Sequence, residues 1–307
     1  MVEALEITNS GGVIQLVISK IIGGLGNQMF QYAAGRALAE RHGVPLCLDL
    51  SGFQGYRLHQ GFELNRVFRC ETSTADTDLL RTQLGWRAGR LAQRILRRPP
   101  FAIFRGRRLV VEPHFHYWAG IFDAPCDCYL NGHWQSEKYF KGIEKIIRSD
   151  FTFRTEPEGE NEELARQIAG TQAVSLHVRR GDYVSDAKTR AVLNLCSLEY
   201  YQSAIRLIAE QVEHPHFYIF SDDIDWVKSN LMLTFPCSFI DYNRGKESYN
   251  DMRLMSLCRH HIIANSSFSW WGAWLGKNPE KIVMASRRWF VDGRSDRDLV
   301  PDKWVRL

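Results

Sequence analysis

A short apolar run that ends in a cluster of charge is the feature that most constrains this chain. The run Val174–Val178 has the length and β-branched character of a buried parallel strand, and Arg179, Arg180 and Asp182 follow it within four residues. In an open α/β sheet, ligands bind in the crevice outside the carboxyl ends of the strands. The arginine guanidinium is a planar fork of permanently charged donors, which suits a phosphate or diphosphate. The stretch therefore predicts a phosphate-bearing ligand, and an ion pair of arginine with Asp182 at the sheet rim is the alternative.

The length of the chain favours two domains, because 307 residues exceed what one hydrophobic core usually spans. The stretch Thr155–Asn161 is acidic, contains proline and glycine and lacks apolar residues, as is typical of a linker. We therefore expect one domain over residues 1–155 and a second over residues 156–307.

Composition excludes several classes of protein. A net charge of +4 is too small to imply nucleic acid, and no apolar run approaches the roughly 20 residues of a membrane span. Residues 1–12 are acidic without a basic region, which argues against a signal peptide. The seven cysteines form no C-x-x-C pair, so we expect reduced thiols in a cytoplasmic protein without a disulfide framework or zinc site.

The chain opens with a predicted βαβ unit. Strand Val13–Ile22 leads through a glycine-rich turn into helix Met29–His42, and strand Leu46–Leu50 follows. Met29 occupies the third glycine position of a dinucleotide fingerprint, which argues against a nicotinamide cofactor. Gly24 and Gly26 still allow a ligand to approach the backbone at a helix N-terminus, where Asn27 is presented.

Residues 81–108 are rich in arginine. An amphipathic helix is predicted there, because basic residues recur at helical spacing beside apolar ones. The basic residues are Arg87, Arg90, Arg94, Arg97 and Arg98, and the apolar ones are Leu84, Leu91, Ile95 and Leu96. Such a helix either lies on an anionic membrane surface or packs its apolar face on its own domain, and both interpretations remain open.

Polar residues follow a second strand of the first half. Strand Cys126–Asn131 precedes His133, Trp134 and Gln135, and a helix over Glu137–Ser149 is capped by Ser136. His133 and Trp134 therefore lie at the carboxyl end of a strand. A tryptophan at that place stacks on a sugar ring or covers the core.

The second half alternates strands with helices, which predicts a parallel sheet covered on both faces. Asp222 and Asp223 follow strand Phe217–Phe220, where either accepts hydrogen bonds from a ligand base or caps the next helix. Asp223 and Asp225 also form a D-x-D pattern, but nothing nearby supplies further hard oxygen ligands for Mg²⁺ or Mn²⁺, so we expect no metal.

A second anion site is predicted after strand His261–Ala264. Its polar residues, Asn265, Ser266, Ser267 and Ser269, surround a helix N-terminus and exceed what simple capping requires. Together with Arg179, these residues suit a nucleoside diphosphate whose purine edge meets a carboxylate.

Several motifs in this order resemble the bacterial type of α1,2-fucosyltransferase, glycosyltransferase family 11. They are Ile22–Tyr32, Gly132–Phe140, His177–Tyr183, Ser221–Asp223 and Asp251–Trp274. The resemblance implies an α/β, GT-B-like fold of two facing Rossmann-like domains with a cleft between them. It further implies inverting transfer from GDP-β-L-fucose to the 2-hydroxyl of a terminal, lactose-like galactose, without metal or cofactor.

The resemblance also implies roles for individual residues. Arg179 would clamp the diphosphate, with His177, Asp182 and Asn27 as the other catalytic residues. Donor binding would fall to Gly24, Gly26, Arg179, Arg180, Asp222, Asp223, Asn265, Ser266, Ser267 and Phe268. Acceptor binding would fall to His133, Trp134 and Gln135.

Some alternatives remain open at this level. The base that deprotonates the acceptor is His133, Asp182 or Asp186, because inverting displacement requires a proton acceptor and the sequence does not separate these three. A fucosyltransferase of another linkage, or a non-catalytic module that binds a nucleotide sugar, would share the donor motifs. We expect a cytoplasmic protein, with peripheral contact to the inner membrane through residues 87–108, and a last helix within residues 277–307 that packs back on the first domain.

Overall fold

The computed structural model describes residues 15–55 and 59–307, except for the side chains of Asp182 and Lys188. The expected start of the first strand, at Val13, and the residues before it lie outside this range. The strands of the described ranges are β1 (Val17–Lys20), β2 (Leu46–Asp49), β3 (Ser73–Thr74), β4 (Leu109–Val111), β5 (Tyr129–Asn131), β6 (Gln172–Val178), β7 (Pro215–Ser221), β8 (Cys237–Ile240), β9 (His260–Ile262), β10 (Val283–Ala285) and β11 (Val305–Arg306).

Helices alternate with these strands through most of the chain. Those of the described ranges are α1 (Leu25–His42), α2 (Leu64–Val67), α3 (Thr77–Leu84), α4 (Arg90–Leu96), α5 (Glu144–Asp150), α6 (Glu160–Ala169), α7 (Gly181–Ser185), α8 (Ala187–Arg190), α9 (Leu198–Ala209), α10 (Ile224–Asn230), α11 (Tyr249–Leu257) and α12 (Ser267–Leu275). None of them is both long and apolar enough to cross a membrane.

The strands form two parallel sheets, in the orders β3-β2-β1-β5-β4 and β8-β7-β6-β9-β10-β11. The second order is that of a doubly wound Rossmann sheet, and the winding reverses between β6 and β9. In the first sheet the reversal lies between β1 and β5. Each sheet therefore has one switch point where ligands are expected, and the predicted parallel sheets are confirmed.

Alternating side chains of β1 face different cores. Val17 packs in the core that contains α1, whereas Ile18 packs with Leu84 and Leu96 of the helices on the opposite face. In the second sheet, Val174 and Leu176 pack in a core on the side of α9. Parallel strands buried on both faces are apolar throughout, which is why the sequence shows them as continuous apolar runs.

Aromatic contacts join the two halves. Phe30 of α1 lies with its ring centroid 4.5 Å from that of Trp270 and 4.9 Å from that of Trp271, both in α12. Phe140 stacks on Trp271 at 5.4 Å. All four rings are fully buried, and each contributes roughly 1.5–3 kcal/mol or more through removal of apolar surface from water. The core is thus continuous across the two sheets.

Helix α1 begins at Leu25, four residues before the expected start at Met29. The backbone N–H groups of Asn27 and Gln28 both donate to the carbonyl of Gly24, which closes the first turn inside the glycine-rich segment. Gly26 of the glycine-rich turn therefore belongs to α1 itself, and Gly24 directly precedes the helix.

The expected helix over Glu137–Ser149 is interrupted. Two 3-10 turns, Glu137–Tyr139 and Lys141–Ile143, precede α5. Phe140 lies at the break between them, buried against Trp271 and Trp274. Burial of this ring overrides the local helix propensity.

The amphipathic helix expected within residues 81–108 is also interrupted. Gly85 has a φ of 59° and Gly89 lies outside α4, while Pro99 begins a 3-10 turn. The helical segments α3 and α4 are therefore short, and the basic residues do not lie on one straight helix.

The prediction of a closing helix within residues 277–307 is wrong. The segment contains β10, β11 and turns, and β11 completes the edge of the second sheet. It nevertheless packs against the first half, because the Asp298 carboxylate accepts from Tyr117 N (3.1 Å) and Lys138 Nζ (2.6 Å). Trp270 Nε1 also donates to the carbonyl of Leu299.

Gly26 is required by the close approach of the two halves. A Cβ at this position would lie 2.6 Å from the Ser267 carbonyl carbon, so Gly26→Ala should lower the free energy of unfolding by about 1–3 kcal/mol. Gly142→Ala is the matched control, since a Cβ there meets nothing within 4 Å. Urea denaturation compares them, and equal midpoints for the two variants would contradict this packing.

Candidate active site

A cleft of about 720 Å³ lies between the two sheets and is lined from both switch points. Gly24, Gly26 and Asn27 follow β1, whereas His133 and Gln135 follow β5. The second half contributes His177, Arg179, Asp222, Asn265, Ser266, Ser267 and Phe268. The structure therefore brings most of the expected site residues into one cavity.

The N-termini of α1 and α12 meet at the floor of this cleft. Trp271 Nε1 donates to the carbonyl of Gly26 at 3.0 Å. The Asn27 side-chain oxygen accepts from Gln135 Nε2 (2.6 Å) and from Ser267 Oγ (3.0 Å), so one amide joins three segments of the site. Since each helix N-terminus carries partial positive charge, this meeting point favours an anion.

Arg179 is held by a carboxylate. Its Nη1 lies 3.0 Å from Asp222 Oδ2, while Asp222 Oδ1 accepts from the backbone N–H of Arg180 at 2.8 Å. A Cβ on Gly181 would lie 2.6 Å from Asp222 Oδ2, so this turn needs glycine there. Asp222 thus fixes the arginine at the cleft, and its two oxygens are already engaged.

Two histidines of the cleft are neutral at pH 7. Burial lowers the pKa of His177 to about 4, with the Asp222 charge opposing this and the Arg179 charge adding to it. Burial also lowers the pKa of half-buried His133 to about 4, and the charges of Arg97 and Arg294 contribute. His177 Nδ1 is buried and has no hydrogen-bond partner among the residues that the structure describes.

Three expected site residues do not line the cleft. Arg180 pairs with Asp223 (3.1 Å), and its guanidinium lies 3.6 Å from the ring centroid of Trp226. Asp223 also caps α10 by accepting from Trp226 N. Trp134 is fully buried, edge-on to Tyr139, and belongs to the core.

Two further expected residues belong to short helices. Asp182 lies in α7, and its side chain is outside the described part of the structure. Asp186 caps α8 by accepting from Thr189 N and Oγ1. Across residues 15–55 and 59–307, no group of His, Cys, Asp or Glu side chains is arranged to hold a metal ion.

Sequence reasoning missed an aromatic wall of the cleft. Phe115 and Phe290 both line it, with ring centroids 4.6 Å apart in an edge-on arrangement, and Phe115 lies 6.3 Å from His133. Phe290 comes from the segment that was expected to form a closing helix. Phe115 lies in a loop without periodicity, so no local pattern marks it.

Glu112 was also missed, although it shapes the turn after β5. Its two carboxylate oxygens accept from the backbone N–H groups of His133 (2.7 Å) and Trp134 (2.9 Å). Trp134 has a φ of 55°, a conformation that non-glycine residues adopt at a cost. Burial raises the pKa of Glu112 to about 7, against the two hydrogen bonds that lower it.

Asp251 is a third missed residue. It lines the cleft in the first turn of α11 and accepts from Asn243 Nδ2 at 2.8 Å. Burial raises its pKa to about 7. The sequence places it at the start of a conspicuous motif, but nothing local distinguishes it from an ordinary helix-terminal aspartate.

The chain matches known proteins along nearly its whole length. The model of Glycosyl transferase family 11 matches residues 117–306. An alpha-1,2-colitosyltransferase of Escherichia coli is 35% identical over 96% of this chain and 99% of that protein. The O-antigen biosynthesis glycosyltransferase WbnK of Escherichia coli is 30% identical over 94% and 99% of the two chains.

A solved structure supports the fold. The fucosyltransferase NodZ from Bradyrhizobium superposes with a TM-score of 0.52 over 84% of this chain and 91% of that chain, at 18% identity. Two facing Rossmann-like sheets with a shared cleft form a GT-B-like fold, as predicted. The chain belongs to Glycosyl transferase family 11, which confirms the family resemblance seen in its motifs.

The raised pKa of Glu112 gives a pH prediction. Because the folded state keeps this proton up to about pH 7, whereas a free glutamate loses it near 4.5, the wild type loses stability as pH rises through this interval. Glu112→Gln lacks the titration, so its free energy of unfolding relative to wild type should be higher at pH 8 than at pH 4. Urea titrations at both pH values measure this difference.

The control for this prediction is Glu158→Gln, because the side chain of Glu158 is exposed to solvent. Its stability relative to wild type should be the same at both pH values. A pH-independent difference for Glu112→Gln would show that Glu112 does not bind the extra proton.

Proposed function

We propose that this protein is an inverting galactoside α1,2-fucosyltransferase. It transfers L-fucose from GDP-β-L-fucose to the 2-hydroxyl of a terminal β-galactose in an oligosaccharide or polysaccharide precursor. The observation that carries the proposal is the geometry of the cleft, in which the clamped Arg179 faces a site formed by the N-termini of α1 and α12.

The donor diphosphate is proposed to bind between Arg179 and the N-terminus of α12. Breaking a bond between sugar and phosphate places negative charge on the leaving diphosphate. A fixed guanidinium and the N–H groups of a helix N-terminus stabilise that charge in a half-buried site, without reorganisation at the moment of reaction. Ser266 adds a hydroxyl donor, because its oxygen only accepts from Phe268 N, and no metal is required.

The guanine base is proposed to meet Asp251. The sequence suggested Asp222 or Asp223 for this role, but the carboxylates of both are occupied by Arg179, Arg180 and a helix cap. Asp251 lines the same cleft, where its carboxylate accepts from Asn243 Nδ2. The N–H donors on the edge of guanine complement a carboxylate.

The acceptor galactose is proposed to lie against His133, Gln135 and the aromatic wall of Phe115 and Phe290. The flat faces of sugars pack on aromatic rings, and the polar groups orient hydroxyls. In the reaction, the 2-hydroxyl oxygen bonds to the anomeric carbon while the bond to the diphosphate breaks, and inversion follows from this in-line attack. GDP leaves, and the hydroxyl proton must pass to a base.

We propose His133 as that base. It is neutral at pH 7 and half-buried in the cleft, and it is held by the turn that Glu112 fixes. Asp186 is engaged in capping α8, outside the cleft lining. Asn27 is excluded as the base, because an amide accepts no proton at neutral pH. Its proposed role is to position the acceptor and to join the two halves.

Colitosyl transfer is the second candidate function, because the Escherichia coli alpha-1,2-colitosyltransferase is 35% identical over 96% of this chain. Colitose is fucose without its 3-hydroxyl. A site that hydrogen-bonds this hydroxyl rejects the deoxy sugar strongly, whereas a site without such contacts accepts both.

We further propose that the reaction takes place in the cytoplasm. All seven cysteines are free thiols, which suits the reducing cytoplasm. WbnK, which matches 94% of this chain, carries a name that assigns it to O-antigen biosynthesis. We therefore propose that the acceptor is a surface-polysaccharide precursor at the inner membrane.

The direct test offers GDP-fucose and GDP-colitose together, with lactose as acceptor and EDTA present, and identifies the product by NMR. A Fucα1-2Gal linkage is the expected result. A colitosyl product at the same hydroxyl would support the second candidate, and a different linkage would contradict both. Loss of turnover in EDTA that Mn²⁺ restores would contradict the proposed metal independence.

Arg179→Ala should lower kcat by about 100- to 1000-fold or more, because the charge on the leaving diphosphate loses its preorganised partner. Arg206→Ala, an exposed arginine of α9, is the matched control and should retain wild-type kcat. Initial rates measure both, with circular dichroism to verify folding. Near-normal kcat in folded Arg179→Ala would remove the proposed role of Arg179.

A further inference from the structure

The arginine-rich segment, residues 81–108, is a strongly basic part of an otherwise acidic chain. It contains nine arginines and no lysine, aspartate or glutamate. Since the whole chain carries +4, nine positive charges here leave the remainder at −5. Such a local concentration of one sign attracts a surface of the opposite sign.

Large apolar side chains of the same segment face solvent. The exposed fraction is 82% for Ile103, 71% for Leu91 and 61% for Trp86, and Ile95 and Phe104 are exposed as well. By contrast, Leu84 and Leu96 pack on the first sheet. The sequence left open whether the apolar residues pack on their own domain or lie on a membrane. Leu84 and Leu96 pack on the domain, whereas the exposed apolar residues are available to a membrane.

A second cavity, of about 390 Å³, lies within the arginine-rich segment. Arg87, Arg105, Arg107 and Arg108 line it, with residues 82–85 and Gly106. Arg87 Nε donates to the carbonyl of Phe104 (2.6 Å), and Arg105 Nε donates to the carbonyl of Leu96 (2.7 Å). Backbone oxygens thus hold two of the guanidinium groups without neutralising them.

One carboxylate reaches the rim of the second cavity. Arg108 Nη2 lies 2.6 Å from Asp127 Oδ2, so one of the four charges is compensated. The other arginines leave the cavity electropositive. A phosphate group fits both its size and its charge, because guanidinium groups bind phosphate through paired hydrogen bonds.

We propose that the arginine-rich segment docks this protein on an anionic phospholipid bilayer. The second cavity receives a lipid phosphate group, while Trp86, Leu91, Ile103 and Phe104 enter the head-group region. Exposed aliphatic side chains beside arginines are the combination that binds membrane interfaces. Nucleic acid offers phosphates but little that would cover Ile103 and Leu91, so a bilayer fits the surface better.

The docking surface adjoins the acceptor side of the cleft. The charge of Arg97 is one cause of the lowered pKa of His133, so the two side chains lie within electrostatic reach. Gln93 of α4 also accepts from Lys20 Nζ at the end of β1. Docking through this surface would hold the cleft beside an acceptor anchored in the bilayer, and the docking itself does not depend on the identity of the donor.

The experiment is flotation of the full chain with two kinds of vesicle, phosphatidylcholine alone and phosphatidylcholine mixed with phosphatidylglycerol. The wild type should float only with the anionic vesicles. Arg94→Glu and Arg107→Glu should each weaken binding by about fivefold or more, because each removes one cation worth about 1 kcal/mol at such a surface. Ile103→Glu should weaken binding as well, because burial of its side chain is lost.

Met232→Glu is the matched control, since Met232 is 87% exposed and lies outside the segment. It should float like the wild type, and all four variants should retain wild-type transfer to lactose without vesicles. The proposal is overturned if the wild type does not float with anionic vesicles, if Met232→Glu binds as weakly as Ile103→Glu, or if Ile103→Glu binds normally. Flotation needs neither donor nor acceptor, so its failure is distinct from failure of the proposed activity.

Discussion

The contact between the N-termini of α1 and α12 is the interaction on which the rest of this structure depends. Gly26 brings the two backbones together, and Trp271 and Ser267 bond across the boundary to Gly26 and Asn27. Two positive helix ends next to each other repel unless something negative lies near them. The boundary between the halves therefore favours an anion, and the buried aromatic rings behind it supply the apolar burial that maintains the contact.

The charge of Arg179 is fixed at the cleft by the carboxylate of Asp222. One oxygen of Asp222 pairs with the Arg179 guanidinium, and the other accepts from the backbone N–H of Arg180. The arginine is therefore oriented before any ligand binds. The neighbouring His177 is neutral, because burial makes its charged form unfavourable. The guanidinium therefore acts in surroundings of reduced polarity, where its attraction for a diphosphate is stronger than in water.

The sequence predicts the sheets and the switch points well, for a physical reason. Buried parallel strands are continuous apolar runs, and the polar residues that end them, such as Arg179 and Asn265, lie at the ligand edge of any doubly wound sheet. Twelve of the expected site residues line the cleft on this basis. The direction of a side chain is not encoded locally, however, which is why Arg180 and Trp134 were expected in the cleft but pack elsewhere.

The remaining errors come from tertiary contacts that override local preference. Burial of Phe140 divides the helix expected over Glu137–Ser149. In the last segment, where a helix was expected, β11 instead pairs with β10 at the edge of the second sheet. Phe115 enters the cleft from a loop without a pattern, and Asp251 enters it from a helix terminus that nothing local marks as part of a site. Their positions depend on contacts with residues more than a hundred positions away or on a neighbouring loop, and no short window of sequence contains that information.

A crystal structure of the protein with GDP tests the central claim most directly. We predict diphosphate oxygens within hydrogen-bond distance of the Arg179 guanidinium and of the first N–H groups of α12, next to Gly26. Diphosphate bound elsewhere in the cleft, without contact to Arg179, would contradict it.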